Sequence, residues 1–75
     1  NYENAFQDLN AFLEIYPESI VGLSEMGLLK LDTDDDSGAI ECFQKCILHE
    51  AQDISERESQ LGVYDYLNNH REEDS

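Results

Sequence analysis

The sequence predicts an all-α fold of about four antiparallel helices arranged as helix-turn-helix repeats, and three observations predict it. Apolar residues recur at spacings of three and four in four separate segments. Pro17 and the run "DTDDDSG" from Asp32 to Gly38 punctuate those segments, and part of the pattern returns after 34 residues. No segment competes as a strand, because none shows sustained alternation of apolar and polar residues.

The first helix is expected over Tyr2 to Tyr16, where Ala5, Phe6, Leu9, Phe12, Leu13 and Tyr16 fall on one face. Pro17 closes it, since proline disfavours the helical region for the residue before it while suiting the first turn of a new helix. The second helix is therefore expected from Glu18 or Ser19 to about Asp32. Ile20, Leu23, Met26, Gly27, Leu28 and Leu31 line it so continuously that burial on more than one side is expected.

The aspartates that follow are poor helix formers with good turn chemistry, and Asp36 or Ser37 is expected to cap the third helix. Ala39, Ile40, Phe43, Cys46 and Ile47 form that helix's apolar stripe. The fourth helix is expected from about Ile54 to Asn69, with Ser55 and Glu58 at capping-box spacing and with Leu61, Val63, Tyr64 and Leu67 supplying contacts. Residues 1–69 thus make one small domain and residues 70–75 an acidic tail. Because the chain opens on Asn1 directly in helical pattern, it is expected to be a piece of a longer protein.

The 34-residue period carries Ala5 onto Ala39 and Leu9 onto Phe43. Around it, residues 20–53 read Leu23-x2-Met26-Gly27-x2-Lys30, then Ala39-x3-Phe43, then Cys46. This resembles the tetratricopeptide repeat (TPR) family, whose helix-turn-helix unit follows W-x2-L-G-x2-Y, A-x3-F and P. Leu23 stands where tryptophan is commonest, Lys30 where tyrosine is, and Ala51 where the closing proline is. Ala5, Leu9, Phe12 and Pro17 resemble the second helix of a preceding unit, and Leu61-Gly62 with Tyr64 or Tyr66 the first helix of a following one. The resemblance implies that Gly27 and Ala39 let the helices of one unit approach closely while Leu23, Met26 and Phe43 fill the space around them. It also implies a small buried residue at Cys46, and a concave partner-binding surface built from the first helix of each unit.

With 18 acidic against 4 basic residues and a formal net charge of −14, binding to nucleic acid or to an anionic membrane surface is not expected. A basic or apolar protein partner fits better. No apolar run reaches the roughly 20 residues that span a bilayer. Two cysteines four residues apart are not the dense framework of a small secreted domain, so an intracellular, cytoplasmic setting is expected.

Asp32 to Asp36 must be weighed as a calcium loop. Starting at Asp32 puts Ser37 at the glycine position and Phe43 at the closing glutamate; starting at Thr33 loses the first carboxylate and ends on Gln44. Neither register works, and the turn reading is preferred. Cys42, Cys46 and His49 fall within about 60° on a continuous helix, with His70 or a carboxylate needed as a fourth zinc ligand. Free cysteine more often behaves as a small hydrophobe, so no metal and no cofactor is expected.

No phosphate-cradling glycine loop and no nucleophile–base pairing marks an enzyme. The expected function is a non-catalytic protein-protein interaction module, a TPR-like scaffold or adaptor for a peptide or helix of a partner. Ser24, Glu25 and Lys30 are its expected contact residues on the second helix, and Asn68 and Asn69 on the fourth. The branch of the family that grips acidic chaperone tails uses lysine, arginine and asparagine clamps; Lys30, Lys45, Arg57 and Arg71 amid 18 acids disfavour it. The alternatives are a structural segment that self-associates as a homodimer or domain-swapped oligomer, and a calcium-responsive element at Asp32 to Asp36.

Overall fold

A computed structural model describes the backbone of residues 1–71 and the side-chain surroundings of residues 1–69. Four helices follow in order: α1 (Tyr2–Ile15), α2 (Ile20–Asp32), α3 (Asp36–Leu48) and α4 (Ile54–Arg71). No strand occurs among the described residues. Helix α4 runs two residues past its expected end at Asn69, so the tail expected over residues 70–75 begins inside it; residues 72–75 lie outside the described part.

Local chemistry sets the ends. The Asn1 side chain accepts the Glu3 N–H at 3.0 Å and opens α1, while Tyr16, next to Pro17, leaves the helical region at φ −125° and ψ 71°. Ser19 caps α2 by accepting the Gly22 N–H at 3.0 Å. After Thr33 the chain turns through Asp34 in the left-handed region (φ 65°), and the Asp35 and Asp34 N–H groups return to the Lys30 and Leu31 carbonyls at 2.8 and 3.1 Å. These paired bonds are the Schellman closure of a helix, with aspartate where glycine is commonest.

Two caps differ from expectation. Asp35, not Asp36 or Ser37, caps α3: its carboxylate accepts the Gly38 N–H at 3.1 Å, since the turn through Asp34 leaves Asp35 as the last non-helical residue. At α4 the capping residues are Asp53 and Glu56, not Ser55 and Glu58. Asp53 Oδ1 accepts the Glu56 N–H at 2.9 Å, and Glu56 Oε1 accepts the Gln52 N–H at 2.6 Å.

Packing centres on α2, which touches α1, α3 and α4; α3 also touches α4, while among the described residues α1 touches α2 alone. The core joins Ile20 and Leu23 of α2, Ala39, Phe43 and Cys46 of α3, and Val63 of α4. The arrangement measures 37 × 29 × 15 Å. It is a slab two helices thick and wider than it is deep, whereas helices spaced 8–10 Å apart in a square bundle would make the two equal. Its accessible surface of 5365 Å² exceeds the ~4,700 Å² of a compact monomer of this size. Much apolar surface stays open, including Phe12 and Ile15 of α1, a helix with no fully buried residue.

On α4 the packed residues are Val63, Tyr66 and Leu67, whereas Leu61 and Tyr64 are exposed at 60% and 46%. Helical phase decides this: Val63 faces inward, and Tyr66 and Leu67 follow it by three and four residues, on its side of the helix. Gln60 completes the inner face. Its Nε2 donates to the Cys46 carbonyl at 3.1 Å and to the His49 carbonyl, satisfying acceptors that the end of α3 leaves without a helical partner. Gln60→Ala is expected to lower stability by about 1–2 kcal/mol, seen as a melting temperature several degrees lower in thermal circular dichroism.

Candidate functional site

Helix α2 presents Val21, Glu25 and Leu28 at spacings of four and three, on the edge of its buried stripe. Facing them across a trough, α4 presents Glu58, Gly62 and Tyr66, each four residues apart. The trough encloses about 380 Å³, with Phe43 and Val63 at its floor. The Tyr66 ring meets Phe43 edge to face, centroids 5.1 Å apart and planes at 60°, which fixes the floor's shape. Both walls carry a carboxylate, Glu25 on one side and Glu58 on the other, and no lysine or arginine lines it among the described residues.

The expected contact residues divide. Glu25 is exposed and belongs to the trough. Ser24 lines it too but is not exposed as expected: only 7% of it is accessible, and its hydroxyl donates to the Val21 carbonyl at 2.9 Å. Being covered from several sides, α2 sinks a residue that periodicity alone leaves at the surface. Lys30 is half-buried rather than exposed and lies on the side towards Cys42, apart from the trough. Asn68 and Asn69 are exposed on α4 outside the trough lining. Val21, Leu28, Glu58 and Tyr66 were not expected there; the available signal was their spacing beside the core stripes.

The expected packing residues Leu23, Met26, Gly27, Ala39, Phe43 and Cys46 are all buried. A Cβ on Gly27 would press into the Phe43 ring, reaching within 2.7 Å of Cδ1, so this glycine admits the ring between α2 and α3. At Gly62 a Cβ would meet nothing within 4 Å. Gly62→Ala is accordingly expected to stabilise the fold by about 0.5–1 kcal/mol, raising the urea midpoint without changing the slope.

A second trough of about 560 Å³ lies between α1 and α2, bounded by Ala5, Asp8, Leu9 and Phe12 on one side and Val21, Gly22 and Glu25 on the other. It shares Val21 and Glu25 with the first, so the exposed edge of α2 is a ridge between two open faces.

The remaining chemistry is structural. The Asp35 carboxylate is committed to its cap, and no three of His, Cys, Asp and Glu converge to hold a metal among the described residues. His49 is no longer helical, at φ −98° and ψ 149°, and the Cys46 thiol donates to the Ile20 carbonyl at 3.4 Å, so the face drawn for Cys42, Cys46 and His49 does not form. The side chain of His70 lies outside the described residues. Burial raises the Cys46 thiol above its ordinary 9.0, and burial likewise raises Cys42 against the opposing pull of Lys30 and Lys45. A raised thiol favours the fold while neutral, so this contribution is full below 9.0 and is lost as pH rises beyond it. At pH 8, iodoacetamide is expected to modify Cys46 only as fast as the chain opens and Cys42 more slowly than a free thiol, with both labelled promptly in urea; peptide mass spectrometry reads the rates.

No helix among the described residues is long and apolar enough to cross a membrane. Comparison of the chain with family models, curated proteins and solved structures finds no match.

Proposed function

We propose that this chain is a non-catalytic interaction module, similar to tetratricopeptide repeats, whose α2–α4 trough receives a basic or apolar peptide or helix of a partner protein in an intracellular setting. The observation that carries the reading is the trough itself: an apolar floor of Phe43 and Val63 between walls that bear Glu25 and Glu58. An apolar floor supplies burial, and carboxylates on both walls favour lysine or arginine flanking the buried residues. The packing of Phe43 against Gly27 supports the repeat reading, being the close approach of two helices that the resemblance implies.

A pull-down with the 75-residue chain tests it, comparing wild type with Glu25→Lys/Glu58→Lys and with Glu14→Lys/Glu41→Lys, which changes the charge equally at exposed positions off the trough. The trough variant is expected to lose a bound partner about tenfold, the control to retain it, and wild type to hold it at moderately raised salt. Equal loss in both variants, or complete loss at moderate salt, would indicate diffuse charge attraction and defeat the reading. Self-association is the second reading, favoured by the exposed Leu48, Ile54, Leu61 and Tyr64. Concentration-dependent mass in light scattering, abolished by Leu61→Lys, would support it.

A further inference from the structure

We infer that Ser55 is a phosphorylation site for a kinase that reads acidic side chains, and that its phosphate extends the acidic wall of the α2–α4 trough; the second half rests on the trough reading above. The fold leaves the spacing Ser55-x-x-Glu58 unused. Asp53 and Glu56 take the capping bonds of α4, and the exposed Ser55 hydroxyl engages no partner among the described residues. Glu56 and Glu58 stand at the first and third positions after it, where the basic substrate groove of such a kinase would pair with them.

The other described hydroxyls fit less well. Ser19 holds the Gly22 N–H, Ser24 is 7% accessible, and Ser59 is half-buried. Thr33 is followed by three aspartates, but its hydroxyl donates to the Leu29 and Lys30 carbonyls at 3.3 and 3.1 Å. A phosphate there would forfeit those bonds and face the negative end of α2. Ser37 is exposed and is the second residue of α3, as Ser55 is of α4, yet Gly38, Ala39 and Ile40 follow it. Ser55 also precedes Glu58 and Ser59 of the trough wall by three and four residues, so it continues their face by one turn. In the transfer, the Ser55 oxygen bonds to the terminal phosphorus of a nucleoside triphosphate as the bond to the diphosphate leaving group breaks, and the hydroxyl proton passes to a base of the kinase. The product adds about two negative charges beside Glu58, at the end of α4 whose dipole favours them.

The test incubates the 75-residue chain with a purified acidophilic serine/threonine kinase and ATP, and maps the product by peptide mass spectrometry. One phosphate is expected on Ser55, transferred about tenfold more slowly in Glu58→Gln. Affinity is then read with a fluorescently labelled synthetic peptide that carries leucines three and four residues apart between lysines. The phosphate on Ser55 is expected to tighten binding about fivefold, and a chain synthesised with its phosphate on Ser37 instead to bind as the unmodified chain does. No transfer to Ser55, equal transfer to Thr33 or Ser37, or equal tightening by a phosphate on Ser37 would each overturn the proposal. Unchanged affinity with Ser55 phosphorylated would overturn it while leaving the trough reading intact. Indifference of the unmodified chain's binding to Glu25→Lys/Glu58→Lys would instead defeat the trough reading, and the second half of the proposal with it.

Discussion

Phe43→Ala is expected to remove about 3–5 kcal/mol, a large share of the roughly 4–11 kcal/mol available to a domain of this length. Phe43 is 1% exposed and the largest fully buried side chain. Its ring fills the place left by Gly27, meets Tyr66 edge to face, and floors the α2–α4 trough. Truncation therefore opens a void shared by three helices, and a two-layer slab has no second core to limit the damage. Urea unfolding followed by helical circular dichroism should find the variant's midpoint lowered by several molar or its transition lost altogether. A loss below about 1 kcal/mol would mean that α2, α3 and α4 do not meet at this ring.

Substitution at Gly27 should be damaging for the converse reason. Alanine in a helix interior ordinarily gains about 1 kcal/mol over glycine, yet here its Cβ would enter the Phe43 ring. Overpacking of about 1–3 kcal/mol then outweighs that gain, so Gly27→Ala should destabilise modestly, and Gly27→Leu severely. Adding Phe43→Leu to Gly27→Ala should recover part of the loss, a coupling of about 1 kcal/mol visible in a double-mutant cycle. Gly62→Ala, with open space around it, should move stability the other way. Two glycines that each follow a large apolar residue, Met26 and Leu61, are thus separated by the sign of one methyl group.

That contrast marks what can be read from sequence. Periodicity located all four helices and the core stripes of α2 and α3, because burying an apolar stripe is what makes each helix stable. The turn at Asp32 to Asp36 was legible as a turn, but its cap was placed one or two residues late, since Asp35, Asp36 and Ser37 have nearly the same capping chemistry. The α4 contacts were half legible: Leu61 and Leu67 look alike in sequence, and only the direction from which α2 and α3 approach decides which is covered. Ser24 and Lys30 were misplaced for the same reason, and Gln60, which ties α4 to the end of α3, carried no local signal because its partners lie 11 and 14 residues away.

The sequence by itself determined the helical class, the element order and the acidic character, all of which follow from the type and spacing of residues along one chain. Only the tertiary structure decided that the helices form an open slab with α2 at its centre, and hence which acidic and apolar residues share a trough. Exposure depends on which neighbour arrives and from which side, and that is set by packing among helices distant in sequence rather than by the pattern within any one of them.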